Sequence, residues 1–345
     1  MRQFLQRLWV AVLYLSGALW WARRQLRREG AVVVLVLHRV LDEAEWRQTH
    51  SPGSTVVRSR TFLELAEYLA RRCQPVPLSE AEPGTVGRRV KIAITFDGAW
   101  CDNYTIALPV ALACGLSPAV FVCTGLTGCI APFWPERMTA ALRAMRPSAP
   151  YAATETLIEH LSDYTPQERA RWLEGLAQML GKTEASGEPF EGDSTMTWEE
   201  IAEMDQAGVA FGSHTHTHQV LPAVGKGVAR REVRDSQAAL ERRLRKRCEL
   251  FAYPASGWSE EARRIVEEQG FRLAFTSERS AWTADCDRLR IPRANVCESE
   301  VAGLRGRFSP AMFEYATFWK VWRAMRSKAR PRTAERERPA ERAAA

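Results

Sequence analysis

The chain has 345 residues, of which 46% are hydrophobic, so it is long enough to bury one large core. Its formal charge of +7 is uneven, because residues 1–30 contribute +5, residues 320–345 contribute +6 and the residues between them carry −4. A mildly acidic body argues against a nucleic-acid-binding groove, whereas two basic ends suit a surface of anionic lipid.

The first predicted element is a hydrophobic helix with basic ends. Residues 8–22, LWVAVLYLSGALWWA, carry no charge and are followed by RRQLRR. Fifteen residues fall short of the roughly 18 to 20 of a typical membrane span. We therefore predict that residues 1–30 form a helix lying in the membrane interface, with tryptophans at the headgroups and arginines on the lipid phosphates. A short span, an uncleaved signal and a soluble helix are the alternatives.

Short apolar segments recur along the middle of the chain, separated by stretches long enough for a helix. They are residues 31–37, 90–96, 118–123, 208–212, 250–253 and 272–276. Segments of this length that are rich in Val, Ile and Phe are typical of strands buried on both faces of a parallel sheet. Helical patterns lie between them, for example at residues 61–73 and 259–270. This alternation predicts an α/β barrel or a doubly wound sheet.

Polar residues follow several of the predicted strands. His38 comes after the first, Asp97 after the second, His214 after the fourth and Pro254 after the fifth. Barrel enzymes place their active sites at the carboxyl ends of parallel strands, so these residues predict an active-site mouth. One helical turn after the fourth strand would place His214 and His218 on the same side. Such a pair can share a metal ion, but a catalytic zinc site typically has a third protein ligand.

The cysteines give a weaker signal. Eight are scattered without any CxxC pair, in a chain far larger than disulfide-stapled domains, which favours a reducing compartment. Cys114 and Cys123 lie inside apolar segments, where we expect a buried thiol to act as a small hydrophobic residue.

Four segments occur in a distinctive order over roughly residues 31–300. They are ITFDGAWCDNYTIALPVALACG, MTWEEIAEMDQAGVAFGSHTHTHQVL, CELFAYPASGWSEEA and LRIPRANV. Together they resemble successive motifs of the polysaccharide deacetylase family with the NodB homology domain, carbohydrate esterase family 4. The resemblance implies a distorted (β/α) barrel that removes acetyl groups from N-acetylated sugar polymers. It also implies a divalent metal cofactor, for which zinc is the expected ion.

The resemblance assigns roles to residues that match the motifs. Asp97 matches the general base that activates water, and Arg293 matches the arginine that holds this carboxylate in place. His214 and His218 match the two histidine ligands of the metal. The implied site therefore joins residues from three of the four motifs.

Two further groups complete the implied site. Tyr253, Pro254 and Ala255 match a segment beside the substrate, in which the backbone N–H of Ala255 donates to the oxyanion. Members with the common motif order carry the general acid on a late histidine, but this chain has no histidine after His218. His38 instead precedes the carboxylate motif, as in the circularly permuted branch that includes poly-N-acetylglucosamine deacetylases. We expect His38 to be the general acid, since the ordinary pKa of imidazole lies near neutrality.

The chain departs from the family at one metal ligand. The family's first motif is TFDDG, whose second Asp binds the metal, whereas this chain has Gly98 there and Ala99 at the glycine position. Loss of even an outer partner of a ligand lowers metal affinity about 10- to 100-fold, so we expect a weakened site. Asp97 could move from base to ligand, and Cys101 or Asp102 could lean in, although both lie several residues along the chain.

Two functions of different classes follow. The chain is either a polysaccharide deacetylase that tolerates Gly98 or a non-catalytic relative that binds polysaccharide. Four tryptophans are candidate sugar contacts or packing residues: Trp100, Trp134, Trp198 and Trp258. The retained acid, base, arginine and two histidines favour the enzyme, because a site without chemistry has little physical reason to keep all of them.

The predicted organisation has four parts. Residues 1–30 form the membrane-associating helix, residues 31–310 the barrel, and residues 311–330 a last helix packed on it. Residues 331–345 are charged and lack large apolar side chains, so we expect them to be disordered. The expected location is a membrane surface, reached through the basic ends.

Overall fold

The structure is a computed structural model that describes residues 2–130, 133–145, 156–158, 160–161, 164–179, 190–303 and 306–328. Residues 331–345, the predicted disordered tail, lie outside the described residues. The domain bounds drawn from the sequence at residues 30 and 310 stay predictions.

The apolar segments form the strands of a parallel sheet. In chain order the strands are β1 (Val32–Leu37), β2 (Arg39–Leu41), β3 (Val56–Arg58), β4 (Gln74–Pro75), β5 (Lys91–Asp97), β6 (Ala119–Val122), β7 (Ala210–Ser213), β8 (Leu250–Ala252), β9 (Leu273–Phe275) and β10 (Ala294–Asn295). All six predicted strands are present, with ends that differ from the predicted ones by at most two residues. The strands that the sequence did not predict, β2, β3, β4 and β10, are only two or three residues long.

The sheet curls into a distorted (β/α) barrel. Its order is β10, β1, β5, β6, β7, β8, β9, with β4 paired to β5, while β2 and β3 pair only with each other. Ile291 forms a parallel bridge with Phe275 of β9, and Ala294 pairs with Leu35 of β1. One short segment therefore joins the two edges of the sheet. This closure confirms the barrel and excludes the open doubly wound sheet.

Alternate residues of each strand point to opposite faces of the sheet. In β1, Val32 and Val34 belong to the core inside the barrel, together with Phe121 and Phe275. Their neighbours Val33 and Leu35 belong to the larger core between the sheet and the helices. Residues that continue the inward alternation past the end of a strand are thus delivered to the mouth of the barrel.

Helices surround the sheet. They are α1 (Arg2–Leu15), α2 (Ala18–Arg28), α3 (Glu43–Gln48), α4 (Ser59–Arg72), α5 (Leu108–Ala113), α6 (Trp134–Met145), α7 (Pro166–Met179), α8 (Trp198–Gln206), α9 (Lys226–Leu244), α10 (Glu260–Glu268), α11 (Glu298–Val301), α12 (Pro310–Glu314) and α13 (Lys320–Lys328). The side chain of Ser259 accepts a hydrogen bond from the N–H of Ala262 and so caps the start of α10.

The N-terminal segment is two helices and not the single predicted helix. Gly17 separates α1 from α2 and has a left-handed backbone (φ 77°), which glycine adopts at little cost. The second helix packs on the C-terminal helices, where Trp21 contacts Trp322 edge to face and Arg23 pairs with Glu314 at 2.7 Å. Across the described residues, every helix is too short or too polar to cross a bilayer.

The C-terminal helix lies on the barrel, as the sequence predicted, but it is interrupted. Between α12 and α13 the chain forms a π-helical segment at Tyr315–Trp319. Phe313 and Phe318 are buried in the main core on either side of the start of this segment. The widened turn thus keeps both rings on the face that meets the barrel.

Candidate active site

A cleft of about 510 Å³ opens at the carboxyl ends of the strands. His38, Asp97, His214 and His218 line it, and Trp100 is among the aromatic residues of its wall. The sequence placed the first four of these residues at a common mouth, and the structure brings them together. A concave site with aromatic walls and a few convergent polar groups is typical of ligand binding.

The carboxylate of Asp97 is held by a buried arginine. Both terminal nitrogens of Arg293 donate to it, with N–O distances of 2.7 and 2.6 Å, and one of them also donates to the hydroxyl of Thr95. The Arg293 Nε donates to the carbonyl of Thr276. Burial raises the pKa of Asp97, but the charge and hydrogen bonds of Arg293, together with the nearby His214 and His38, outweigh it and lower the pKa to about 2. Asp97 is therefore ionised at neutral pH and fixed in orientation.

His214 and His218 lie next to each other, although not on the predicted helical turn. The segment after β7 is a loop in which His218 has a left-handed backbone (φ 60°), and the two ring centroids are 5.1 Å apart. The Nδ1 of His214 bonds to the carbonyl oxygen of Ala252 at 2.9 Å, and its Nε2 lies 3.9 Å from Asp97. Burial lowers the pKa of both histidines, so both imidazoles are neutral and can bind a metal.

His38 lies at the same mouth, in a more apolar setting than its assigned role suggested. Its Nδ1 is buried and has no hydrogen-bond partner among the described residues. Burial lowers the pKa of His38 to about 4, partly offset by the negative charge of Asp97. The pKa of His38 in the ligand-free protein thus lies below the ordinary value for imidazole, and the ring is uncharged at neutral pH.

This chain has Gly98 where the family has a metal-binding aspartate, and the ring of Trp100 fills the space beside it. Gly98 has a left-handed backbone (φ 99°), and a Cβ added there would lie 2.7 Å from the indole Nε1 of Trp100. Trp100 is buried, with its ring centroid 4.9 Å from that of Phe133 and the guanidinium of Arg39 over its face. The place of a side chain at position 98 is thus occupied.

The groups that could hold a metal are two histidines and a cysteine. Within the described part of the chain, Cys123, His214 and His218 bring their ligand atoms within 4.8 Å of one another. The Nδ1 of His218 is buried and lacks a hydrogen-bond partner among described groups, as expected for an atom reserved for an external ligand. Nitrogen and sulfur donors of this kind suit zinc. The residues present therefore fit a divalent metal, while position 98 supplies no ligand.

The three residues of the predicted oxyanion segment have different places. Ala255 lines the cleft and has a left-handed backbone (φ 50°). Tyr253 is buried in the core outside the barrel, where its hydroxyl donates to the carbonyl of Leu289 at 3.0 Å. Pro254 is buried beside it and does not line the cleft. Of the three, only Ala255 lines the cleft. Tyr253 follows the inward-facing Ala252 and therefore points to the other face of the sheet, while Ala255 lies past the end of the strand, where its left-handed backbone breaks the alternation.

The four tryptophans divide in the same way. Trp100 and Trp134 line the cleft. Trp198 packs against the outer core, and Trp258 donates to Glu278 at 2.8 Å. Two of the four candidate sugar contacts are therefore in the site, and two are packing residues.

Asp102 is not available as a replacement ligand. It forms a buried ion pair with the Nε of Arg39 at 2.9 Å and accepts a hydrogen bond from the N–H of Val40. Arg39 also pairs with buried Asp193, so that one guanidinium ties β2 to two distant loops. This network has no signature in the sequence, because Asp102 and Asp193 lie 63 and 154 residues from Arg39 along the chain.

Glu136 lines the cleft, although the sequence did not single it out. It is buried, accepts a hydrogen bond from the hydroxyl of Ser51 at 3.1 Å, and leaves its Oε2 without a partner in the described structure. Burial and the charge of Asp193 raise the pKa of Glu136 to about 7. It lies in α6, far from the recognised motifs.

Comparison with known proteins matches the sequence motifs. The profile of the polysaccharide deacetylase family matches residues 86–274. The protein YxkH of Bacillus subtilis (strain 168) is 24% identical over 117 residues, which are 34% of this chain and 42% of that relative. The chain thus spans less than half the length of this curated relative.

Solved structures share the fold. Deacetylase PplD of Streptococcus pyogenes, in complex with acetate, superposes with a TM-score of 0.51 and 17% identity over 77% of this chain and 92% of its own. IcaB from Ammonifex degensii gives 0.51 and 20% over the same shares. BA0330 from Bacillus anthracis gives 0.54 and 13%, covering 84% of this chain and 69% of its own. At these identities the likeness shows a common barrel.

Proposed function

Because this chain belongs to the polysaccharide deacetylase family, we propose that it is a metal-dependent hydrolase that removes N-acetyl groups from a polymer of N-acetylated hexosamine. The observation that carries the proposal is the ion pair of Asp97 with Arg293, set 3.9 Å from His214 in an open cleft. A buried carboxylate held ionised in such a place is suited to take a proton from water.

Five residues of the cleft have a role in this proposal. His214 and His218 hold the divalent ion, which when bound polarises the amide carbonyl of the substrate. Asp97 accepts the proton of the attacking water, and the N–H of Ala255 donates to the oxyanion that forms. His38 delivers a proton to the departing amine. Because burial keeps His38 neutral, we infer that it becomes charged only when the negative charge of the reacting substrate lies beside it.

The alternative is a polysaccharide-binding protein without catalysis. One observation favours it, since Trp100 occupies the place of a side chain at position 98 and extends the aromatic wall formed with Phe133. Aromatic faces bind the apolar faces of sugar rings, so the same cleft can hold a chain without cleaving it.

The two functions are separated by measuring binding and acetate release on the same preparation. Zinc-equilibrated protein is titrated calorimetrically with N-acetylglucosamine oligomers and then assayed for acetate. Binding of the oligomer with no more than one acetate released per protein molecule supports the alternative. Release of many acetates per protein molecule supports the hydrolase. Absence of both binding and release contradicts both proposals.

We also propose that the N-terminal helices dock on an anionic membrane surface. Apolar side chains of α1 and α2 remain exposed at helical spacing: Leu5, Leu8, Trp9, Val12, Leu15 and Trp20. Arg24 and Arg28 are exposed on the same hairpin, and the guanidinium of Arg24 lies over the ring of Trp20. Apolar residues beside arginines are complementary to the acyl and phosphate layers of such a surface.

A further inference from the structure

Without a carboxylate at position 98, the proposed metal site lacks a negative charge and a third protein ligand. Two neutral imidazoles bring no negative charge to a dication, whereas the family's set of two histidines and an aspartate brings one. A third protein ligand with one negative charge would restore both the ligand number and the charge of a catalytic zinc site. The question is which residue of this chain can supply it.

Cys123 lies next to His214 because of the strand register. Val122 at the end of β6 pairs with Ser213 at the end of β7, and the N–H of His214 donates to the carbonyl of Val122 at 2.9 Å. The next residue of each strand, Cys123 and His214, therefore lie side by side and face the barrel interior. The thiol is buried and donates to the carbonyl oxygen of His214 at 3.3 Å.

From this arrangement we propose that Cys123 is the third protein ligand of the metal, in place of the family's second aspartate. The ligand atoms of Cys123, His214 and His218 already lie within 4.8 Å of one another. In a tetrahedral zinc site with ordinary bond lengths, nitrogen and sulfur ligand atoms are roughly 3.5 Å apart. Small side-chain rotations would close the remaining gap. Binding releases the thiol proton to solvent, so that a thiolate faces the dication.

Other acidic or sulfur donors are held elsewhere. Both oxygens of Asp97 accept hydrogen bonds from Arg293, and Asp102 is paired with Arg39. Cys101 is half-buried after β5, and it is not among the residues whose ligand atoms converge with those of His214. Glu136 lines the cleft outside any ion pair among the described residues, but it is not among the residues whose ligand atoms converge with those of His214. Cys123 is therefore the donor that the described structure brings to both histidines.

A thiolate ligand also changes the choice of metal. Sulfur and imidazole donors favour zinc and cobalt, whereas carboxylate and water favour magnesium and manganese. The cysteine site should therefore prefer Zn²⁺ over Mg²⁺. This inference rests on the proposed function only for what the metal does in the reaction. Metal binding by Cys123 itself can be measured without substrate.

The test is the spectrum of the Co²⁺-loaded full-length protein. We expect a sulfur-to-cobalt charge-transfer band in the near ultraviolet, which disappears in Cys123→Ala and persists in the control Cys101→Ala. We also expect Cys123→Ala to bind Zn²⁺ at least about 10-fold more weakly. A band that survives in Cys123→Ala, or a wild type without the band, overturns the proposal.

A second measurement needs no variant. X-ray absorption of the Zn²⁺-loaded wild type should show one sulfur scatterer at about 2.3 Å beside lighter atoms. Only nitrogen and oxygen scatterers, or no bound zinc, would overturn the proposal even if Cys123→Ala failed to fold. A sulfur ligand without acetate release would leave the cysteine site standing and contradict the hydrolase. Acetate release with no sulfur ligand would do the reverse.

Discussion

Arg293 donates through both terminal nitrogens to the two carboxylate oxygens of Asp97, at 2.7 and 2.6 Å. Arg293 lies between β9 and β10, and Asp97 ends β5, so the pair spans the barrel from its closing segment to its interior. It fixes the proposed base and also fastens the point where the sheet closes. The pair should therefore matter for stability as well as for chemistry.

Replacing Arg293 should lower the free energy of unfolding. In Arg293→Met the buried Asp97 loses its charge partner, and breaking a buried pair in this way costs about 3–5 kcal/mol. Urea unfolding measures the difference. The matched control is Arg307→Met, because Arg307 pairs with Glu64 on the surface and should contribute less than about 1 kcal/mol. Equal losses in the two variants would contradict a structural role for the buried pair.

The same pair predicts how stability depends on pH. The pKa of Asp97 is lowered to about 2 in the folded protein, against an ordinary value near 4 in the unfolded chain. Its stabilisation is therefore fully present above about pH 4 and is lost as the pH falls through about 2, amounting to roughly 2 kcal/mol. Asp97→Asn should lose less stability than wild type between pH 5 and pH 2. Parallel urea midpoints over this range would be inconsistent with a lowered pKa.

Restoring the family's aspartate at position 98 should lower the stability of the folded protein. Gly98→Asp would force a side chain onto a left-handed backbone and place its Cβ 2.7 Å from Trp100, so we expect a loss of more than about 1 kcal/mol. Adding Trp100→Ala removes the contact and should make the two changes less than additive. Thermal melts of the four proteins form the cycle. Additive effects would mean that the indole does not oppose a side chain at position 98.

Metal binding by the same variants tests the effect of the missing carboxylate. We expect the double variant to bind Zn²⁺ more strongly than Trp100→Ala alone, because the new carboxylate adds a second negative charge beside the proposed thiolate of Cys123. Competition with a chromophoric chelator gives both affinities. Equal affinities would show that position 98 no longer faces the metal.

Trp134 should contribute to sugar binding. It lines the cleft, and loss of an aromatic face that stacks on a ring costs about 0.5–1.5 kcal/mol, or roughly 2- to 12-fold in Kd. Calorimetry with N-acetylglucosamine oligomers compares Trp134→Ala with Trp172→Ala, an exposed tryptophan of α7. The idea fails if both variants bind like wild type.

Membrane docking is tested on the exposed face of α1. Leu8→Glu and Trp9→Glu place charges on two exposed apolar positions and should abolish flotation with anionic vesicles. Met179→Glu is the control, since Met179 is an exposed apolar residue at the end of α7. These substitutions are preferable to deletion of residues 1–30, because Leu19 and Leu26 are fully buried. Flotation by the α1 variants would exclude this face as the anchor.

The sequence predicted the parts of the site that strand order and motif spacing determine. Asp97, His214 and His38 each end a recognisable apolar segment, and the barrel brings the ends of such segments to one mouth. The family resemblance located Arg293, whose partner is almost 200 residues away.

The remaining features depend on tertiary contacts that local pattern cannot show. Cys123 was interpreted as a small hydrophobic residue, and its neighbour His214 became visible only through the register of β6 and β7. Tyr253 was assigned to the substrate because it lies in the right motif, but its place in the alternation turns it to the outer core. The break between α1 and α2 at Gly17 could not be predicted from the sequence, because it depends on the packing of α2 against the C-terminal helices.

Acetate release from a pentamer of N-acetylglucosamine shows whether the protein is a hydrolase with Asp97 as its base. Zinc-loaded wild type should release acetate over many turnovers. Asp97→Asn should lower kcat about 100- to 10,000-fold while the oligomer still binds, which is the range for loss of a general base. Equal rates for the two proteins, or no release by the metal-loaded wild type, would contradict the account.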